Sequence, residues 1–276
     1  YSMEFRERLK SARALSPVKK ARSELKKIEK EMGDLKVVES GILVDLLLSY
    51  RDVSAWNEMV TLYERLPADV KDAVIVRQQF ALALNRRAER GDRDKATSIL
   101  ENLLIKRGAS AETYGILGRV YKDLYKEAKQ ENKRTSAGYL DKAVEAYTRG
   151  FECEPIDYYP GVNAISLLLQ KGTEEALAEA ERLTPLVSFA VARKGGASSS
   201  DYWDTATVLE LALIGRDEKV AFSVLPRVLV NAEASWMVKT TADNLEMLKG
   251  LRSEKEDTGG LEAVINELRA REKEFK

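Results

Sequence analysis

The sequence predicts an all-α protein, a right-handed α-solenoid of stacked helical hairpins. Three observations carry that expectation. Apolar residues recur at helical spacing along most of the chain, and strand-like alternation is almost absent. Connections between the helical stretches are short, so neighbours pack as antiparallel hairpins. Gly and Asp recur together at the inter-helix turns, as at Gly91-Asp92 and around Gly215 and Asp217. Each hairpin has an apolar face it cannot bury alone, so the hairpins stack into a curved superhelix.

Taken in order, helices are expected at 17–31, 38–50, 53–65, 70–90, 92–107, 110–128, 138–153, 158–171, 173–193, 200–215, 217–231, 234–252 and 260–274. All six prolines fall at or near the ends of these stretches. Residues 1–37 form a basic N-terminal helical arm or cap. Within 1–36, Lys and Arg outnumber Asp and Glu eleven to six, and Val18, Leu25, Ile28 and Met32 make an apolar stripe. The simplest role is to cap the solenoid; a partner-binding or oligomerising arm and a nucleic-acid or lipid contact are the other readings. Residues 38–253 form the solenoid. Residues 254–276 contain a C-terminal capping helix with charge on its outer face.

The stretch "YGILGRVYKDLY" has the spacing of a tetratricopeptide first helix, in Tyr114, Leu117, Gly118 and Tyr121. Ala143, Tyr147 and Pro155 supply the second half of that unit. The stretch "KEAKQENKRTSAG" between them reads as a polar lengthening of the loop. Further units, with Ala96 at a helix crossing and turns near Lys171-Gly172, are degenerate. The hairpins are therefore tetratricopeptide-like.

Composition narrows the function. Lys+Arg and Asp+Glu are equal at 45 each, so no overall field draws in nucleic acid or an anionic membrane. No apolar run is long enough to span a membrane, and no signal peptide is read. The single Cys153 excludes an internal disulfide and a Cys-rich zinc site, and fits a reducing, cytoplasmic setting. Histidine is absent, which removes the commonest general base and metal ligand. Neither an enzyme, a metal site nor a cofactor is expected.

One polar stripe stands out. Arg119, Lys122 and Asp123 share a helix face at i, i+3 and i+4, and Asn85, Arg86 and Arg87 hold the equivalent place one unit earlier. Arg presents a planar fork to carboxylate or phosphate, Lys adds a point charge, and Asp orients an Arg or accepts a hydroxyl. The bland alternative is an Arg119–Asp123 surface pair. Later, "DYYPGVNA" sets Tyr158, Tyr159 and Asn163 at a helix start. Trp203, Thr207 and Glu210 share a face at i, i+4 and i+7; Trp236, Thr240 and Asn244 do so at i, i+4 and i+8. Aromatic plates beside polar groups suit a planar ligand, although for either tryptophan alone core packing is the better reading.

Six stretches, "FALALNRRAERGDRDKA", "GRVYKDLY", "AVEAYTRGFE", "YYPGVNA", "DYWDTATVLE" and "WMVKTTADNL", occur in the order of one family. The chain resembles, over roughly 42–250, the tetratricopeptide-like TRAF-binding domain of apoptosis signal-regulating kinases and its prokaryotic relatives. The resemblance implies an α-solenoid with a non-catalytic binding role. By motif it marks Asn85, Arg86, Arg119, Lys122, Asp123, Tyr159, Asn163, Tyr202, Trp203, Thr207, Glu210, Trp236 and Thr241 as ligand-binding. No kinase Gly-rich loop, HRD or DFG is present. The expected function is a sensor that holds a small anionic, nucleotide-like ligand in the concave groove and relays it to a protein partner. The alternative is a pure protein- or peptide-binding scaffold.

Overall fold

The computed structural model describes residues 2–252 and 258–275, and among them there is no β-strand. The chain divides into two compact units, Tyr1–Lys133 and Arg134–Lys276. Each is built of consecutive helices.

The first unit runs α1 (Ser2–Arg13), α2 (Val18–Met32), α3 (Ser40–Asp52), α4 (Trp56–Arg65), the single turn α5 (Ala68–Lys71), α6 (Val74–Arg87), α7 (Asp92–Arg107) and α8 (Ala111–Gln130). Helix α3 is apolar nearly all round. Its Ile42, Leu43, Leu46, Leu47 and Tyr50 are wholly buried, because α1 and α2 cover one side while α4 and α6 cover another. Tyr63 of α4 stacks on Phe80 of α6, ring centroids 3.6 Å apart. The basic residues of α1 and α2 serve as staples. Arg6 pairs with Asp45 at 3.3 Å and Lys26 with Glu58 at 2.7 Å. Arg22 donates to the carbonyls of Val53 and Ser54, which end α3.

Glu29 of α2 is the most committed of these groups. It accepts from the buried Tyr50 hydroxyl at 2.5 Å and pairs with Arg65. Burial first, and Glu29 second, push the Tyr50 phenol well above its ordinary value. Glu29→Ala strands that hydroxyl, and about 1–3 kcal/mol of destabilisation is expected. Urea denaturation checks this. Added to Glu29→Ala, Tyr50→Phe is expected to cost little more, since the stranded group is then gone.

The α6–α7 turn is closed by a fork. Arg87 Nε and Nη2 donate to Asp92 Oδ2 and Oδ1 at 2.8 and 2.7 Å, and the Glu89 amide also donates to Asp92. The Arg87 hydrogen bonds hold the Asp92 carboxyl below the usual carboxylate range. Ala88 and Gly91 both sit at positive φ there, where glycine is at ease and alanine is strained.

The second unit runs α9 (Ser136–Cys153), α10 (Tyr158–Lys171), α11 (Glu174–Arg193), α12 (Tyr202–Ile214), α13 (Glu218–Asn231), α14 (Ser235–Leu251) and α15 (Gly259–Glu274). Side chains cap α10 to α13: Asp157, Thr173, Asp201 and Asp217 each accept from a first-turn amide. Helix α10 packs against α9 and α11. A continuous core of Tyr202, Leu209, Val224, Val238, Leu245, Leu261 and Leu268 joins α12 to α15. Arg269 fastens α15 to α14 through Asp243 at 2.6 Å and Glu246 at 2.9 Å.

Four details differ from expectation. Within the expected helical arm, residues 2–13 form a separate helix ahead of the one expected from 17, with Phe5, Leu9 and Ala12 buried; this apolar stripe is too short to stand out from its charged neighbours. In α2 the buried stripe begins at Ala21, and Val18 is exposed. The stretch "KEAKQENKRTSAG" is mostly not loop: α8 continues to Gln130 and α9 begins at Ser136. Lys126, Glu127, Ala128, Lys129 and Gln130 are strong helix formers, and Ala128 is buried. Finally, Pro185 and Pro226 lie inside α11 and α13. Both are exposed, so the carbonyl that each ring deprives of a donor faces the wet side of its helix.

Candidate functional site

The structure sorts the sequence-marked residues into two clusters, one per unit. In the first, α6 and α8 lie side by side. Asn85 is buried near the end of α6, and its amide donates to Asp123 Oδ2 of α8 at 2.8 Å. Arg119 Nε donates to the same oxygen at 3.2 Å. From α7, Arg93 Nε donates to Asn85 Oδ1 at 2.9 Å, and its guanidinium also pairs with Glu127. One turn from the helix starts, Gln78 donates to the Thr113 hydroxyl at 2.9 Å. The result is a polar seam along α6, α7 and α8, buried at Asn85, Gln78 and Thr113 and reaching solvent at Glu127. Burial pushes the Asp123 carboxyl up. The Arg119 charge and the hydrogen bonds from Asn85 and Arg119, aided by the Arg86 charge, outweigh it and hold the group below its ordinary value.

This corrects the picture of an open basic stripe. Lys122 is buried rather than poised in a groove. Arg87 belongs to the α6–α7 turn. Arg86 is exposed, and Arg119 is engaged with Asp123. The bland pairing of Arg119 with Asp123 at i, i+4 is present, but inside a network. Arg93, Glu127, Gln78 and Thr113 were missed. No local pattern signals them, because each is defined by its partner on another helix.

The second cluster spans the starts of α10, α12 and α14. Tyr158 donates to Asp204 at 2.5 Å, and Ser199 donates to the other oxygen of the same carboxylate at 2.6 Å. The Tyr202 hydroxyl meets the Met237 carbonyl and the buried Thr241 hydroxyl, the latter at 2.8 Å. Burial raises the Tyr158 and Tyr202 phenols. Further along α12 and α14, Asn244 donates to the buried Glu210 at 3.2 Å. The void beside that pair is about 10 Å³, room for about one water. Thr207 is buried. Asn163 and Thr240 donate back to their own helices, at the Tyr159 and Trp236 carbonyls. The exposed part is aromatic. Trp203 and Trp236 have ring centroids 5.7 Å apart. Trp236 is 57% exposed and Tyr159 42%. Asp204 lies in the stretch "DYWDTATVLE" that the sequence singles out, although not among the residues marked as ligand-binding; Ser199 carries no sequence signal.

The model of the MAP3K TRAFs-binding domain matches residues 2–266. The chain belongs to that family. It is 29% identical over 233 residues to mitogen-activated protein kinase kinase kinase 15 of Mus musculus, covering 82% of this chain and 17% of that protein. It is 27% identical over 259 residues to mitogen-activated protein kinase kinase kinase nsy-1 of Caenorhabditis elegans, covering 88% of this chain and 17% of the relative. The human mitogen-activated protein kinase kinase kinase 5 is 27% identical over 248 residues, 87% of this chain and 18% of its own. The chain thus spans under one fifth of the length of these relatives. A solved structure of a thermophilic TPR protein from Thermus thermophilus superposes with a TM-score of 0.56 at 16% identity, covering 75% of this chain and all of the other. The fold of this TRAFs-binding domain is therefore tetratricopeptide-like. The matched region is a TRAFs-binding domain and not a kinase domain. No helix among the described residues is long and apolar enough to cross a membrane.

Proposed function

We propose that this TRAFs-binding domain is a protein-binding scaffold, with TRAF-type adaptors the partner class that the family name suggests. One observation carries this over a receptor for a small anion. The polar groups expected to grip a phosphate are joined to one another, with Asp123 holding both Asn85 and Arg119. In this reading Asn85, Arg119, Asp123, Tyr202, Thr207, Glu210 and Thr241 keep the hairpins in register, and Tyr159, Trp203 and Trp236 offer a surface to a partner. Aromatic side chains exposed beside polar rims are the usual anchors of protein interfaces.

Binding of purified TRAF domains, followed by calorimetry, tests this. Trp236→Ala is expected to weaken binding about tenfold while leaving the unfolding free energy from urea denaturation within about 0.5 kcal/mol of wild type. Undiminished binding would remove the aromatic surface from the site. A thermal-shift screen against nucleoside mono-, di- and triphosphates is expected to show no stabilisation. A shift abolished by Arg119→Ala would restore the sensor reading.

A further inference from the structure

A hollow of about 450 Å³ opens between the C-terminal end of α9 and the middle of α11. Phe151, Pro155, Ile156, Leu183, Leu186 and Phe189 line it, together with the charged Glu152 and Arg182. Three of them are left largely in water: Ile156 is 44% exposed, Leu186 48% and Phe189 66%. Covering a Leu or Phe side chain is worth about 1.5–3 kcal/mol, so three grouped around one hollow mark a place built to be covered. None of them is among the residues marked from the sequence.

The charges around the hollow say what covers it. Along α11, Glu175, Glu179, Arg182, Leu186 and Phe189 follow one another at intervals of three or four, so they form one stripe. Along α9, the exposed Glu145 and Glu152 are seven apart, on one face. Arg182 is held bidentately by Glu179 at 2.6 and 2.7 Å, and Arg149 lies 3.6 Å from Glu152. Glu145 and Glu175 stand beyond these pairs, toward the N-terminal ends of the two helices, and Arg193 follows Phe189 at the other end of the α11 stripe. The apolar hollow is therefore flanked by acid on one side.

We infer that this hollow docks an amphipathic helix of a partner protein, with two apolar residues at i and i+3 or i+4 as anchors. Lys or Arg two to three turns from those anchors lies over Glu145 and Glu175. Helices laid into apolar grooves are recognised in this way, the anchors giving affinity and the charges orientation. This takes the protein-binding reading further, to a second surface and a partner chemistry.

The probe is an idealised amphipathic peptide of Leu and Lys, fluorescein-labelled, read by anisotropy against the whole chain; its counterpart carries Glu in place of Lys. The Leu/Lys peptide is expected to bind about tenfold or more tighter than the Leu/Glu peptide. Leu186→Ser/Phe189→Ser is expected to lose about tenfold in binding with an unchanged circular dichroism spectrum and melting temperature. Glu145→Gln/Glu175→Gln is expected to erase the preference for Lys. Equal binding by wild type and the Ser variant overturns the inference, as does a preference for the Leu/Glu peptide. So does a wild-type dimer in light scattering that the Ser variant converts to monomer, since a second copy would then be the occupant. If the Ser variant keeps full TRAF-domain binding while wild type ignores the peptide, the groove alone falls. If the peptide binds as stated and no TRAF domain does, the adaptor reading alone falls.

Discussion

Asp123→Ala is expected to destabilise the first unit by about 2–4 kcal/mol. The carboxylate accepts from Asn85 and Arg119 at one oxygen, and its side chain is only 16% exposed. Removing it takes one acceptor away from a buried amide and from a mostly buried guanidinium. Loss of one member of such a set costs more than the hydrogen bonds themselves contribute. Arg119, at 21% exposure, recovers some hydration, which keeps the figure below that of a fully buried pair. Acid dependence gives a second readout. The folded-state pKa of Asp123 is depressed. Its contribution is therefore complete above the unfolded carboxylate range, about pH 4, and is lost as pH falls through the folded value. Wild type is expected to lose stability steeply below about pH 4, and Asp123→Asn less steeply. Urea midpoints from pH 7 to pH 3 measure the difference. Parallel slopes would show that folding does not depress the Asp123 pKa.

Gly161→Ala is expected to cost about 1–3 kcal/mol, against the usual rule that alanine improves a helix interior by about 1 kcal/mol. Gly161 lies in α10 where α9 and α11 approach it from two sides. A Cβ built there collides with Val187 Cγ2 and sits 2.9 Å from the Phe151 ring. Phe151 borders the hollow between α9 and α11, but Val187, the nearer neighbour, is wholly buried and has little space to withdraw into. Val187→Ala removes the nearer obstacle. The double variant Gly161→Ala/Val187→Ala is therefore expected to be more stable than the sum of the single costs predicts, by about 1 kcal/mol. Additive costs in urea denaturation would mean that the helices part instead of colliding, and that the close approach is not what holds glycine at this position.

Much of this molecule was readable before its structure. Every helix expected from 17 onward is present within a few residues, because an apolar stripe and a cap are local patterns. Ser110, Thr173 and Asp217 begin their helices by accepting the amide three residues on, in α8, α11 and α13. The family resemblance rested on motifs in order, and the family match bears it out. What failed was the exposure of polar residues. Arg119, Lys122 and Asp123 do lie on one stripe, as their spacing requires, but that stripe faces neighbouring helices. Thr240 and Thr241 are adjacent in "TTADN"; one bonds back to its own helix and the other meets Tyr202 in the core.

By itself, then, the sequence determined the helices, their order and the tetratricopeptide-like class, since backbone hydrogen bonding and amphipathic spacing act over a few residues. The tertiary structure alone decided which charges meet. It brings Arg93 of α7 to Asn85 of α6, and Ser199 and Tyr158 to one carboxylate of α12. It also leaves Phe189 in water while burying Lys122. Those outcomes depend on which helix lies opposite, and a one-dimensional pattern does not encode the neighbour across a packed interface.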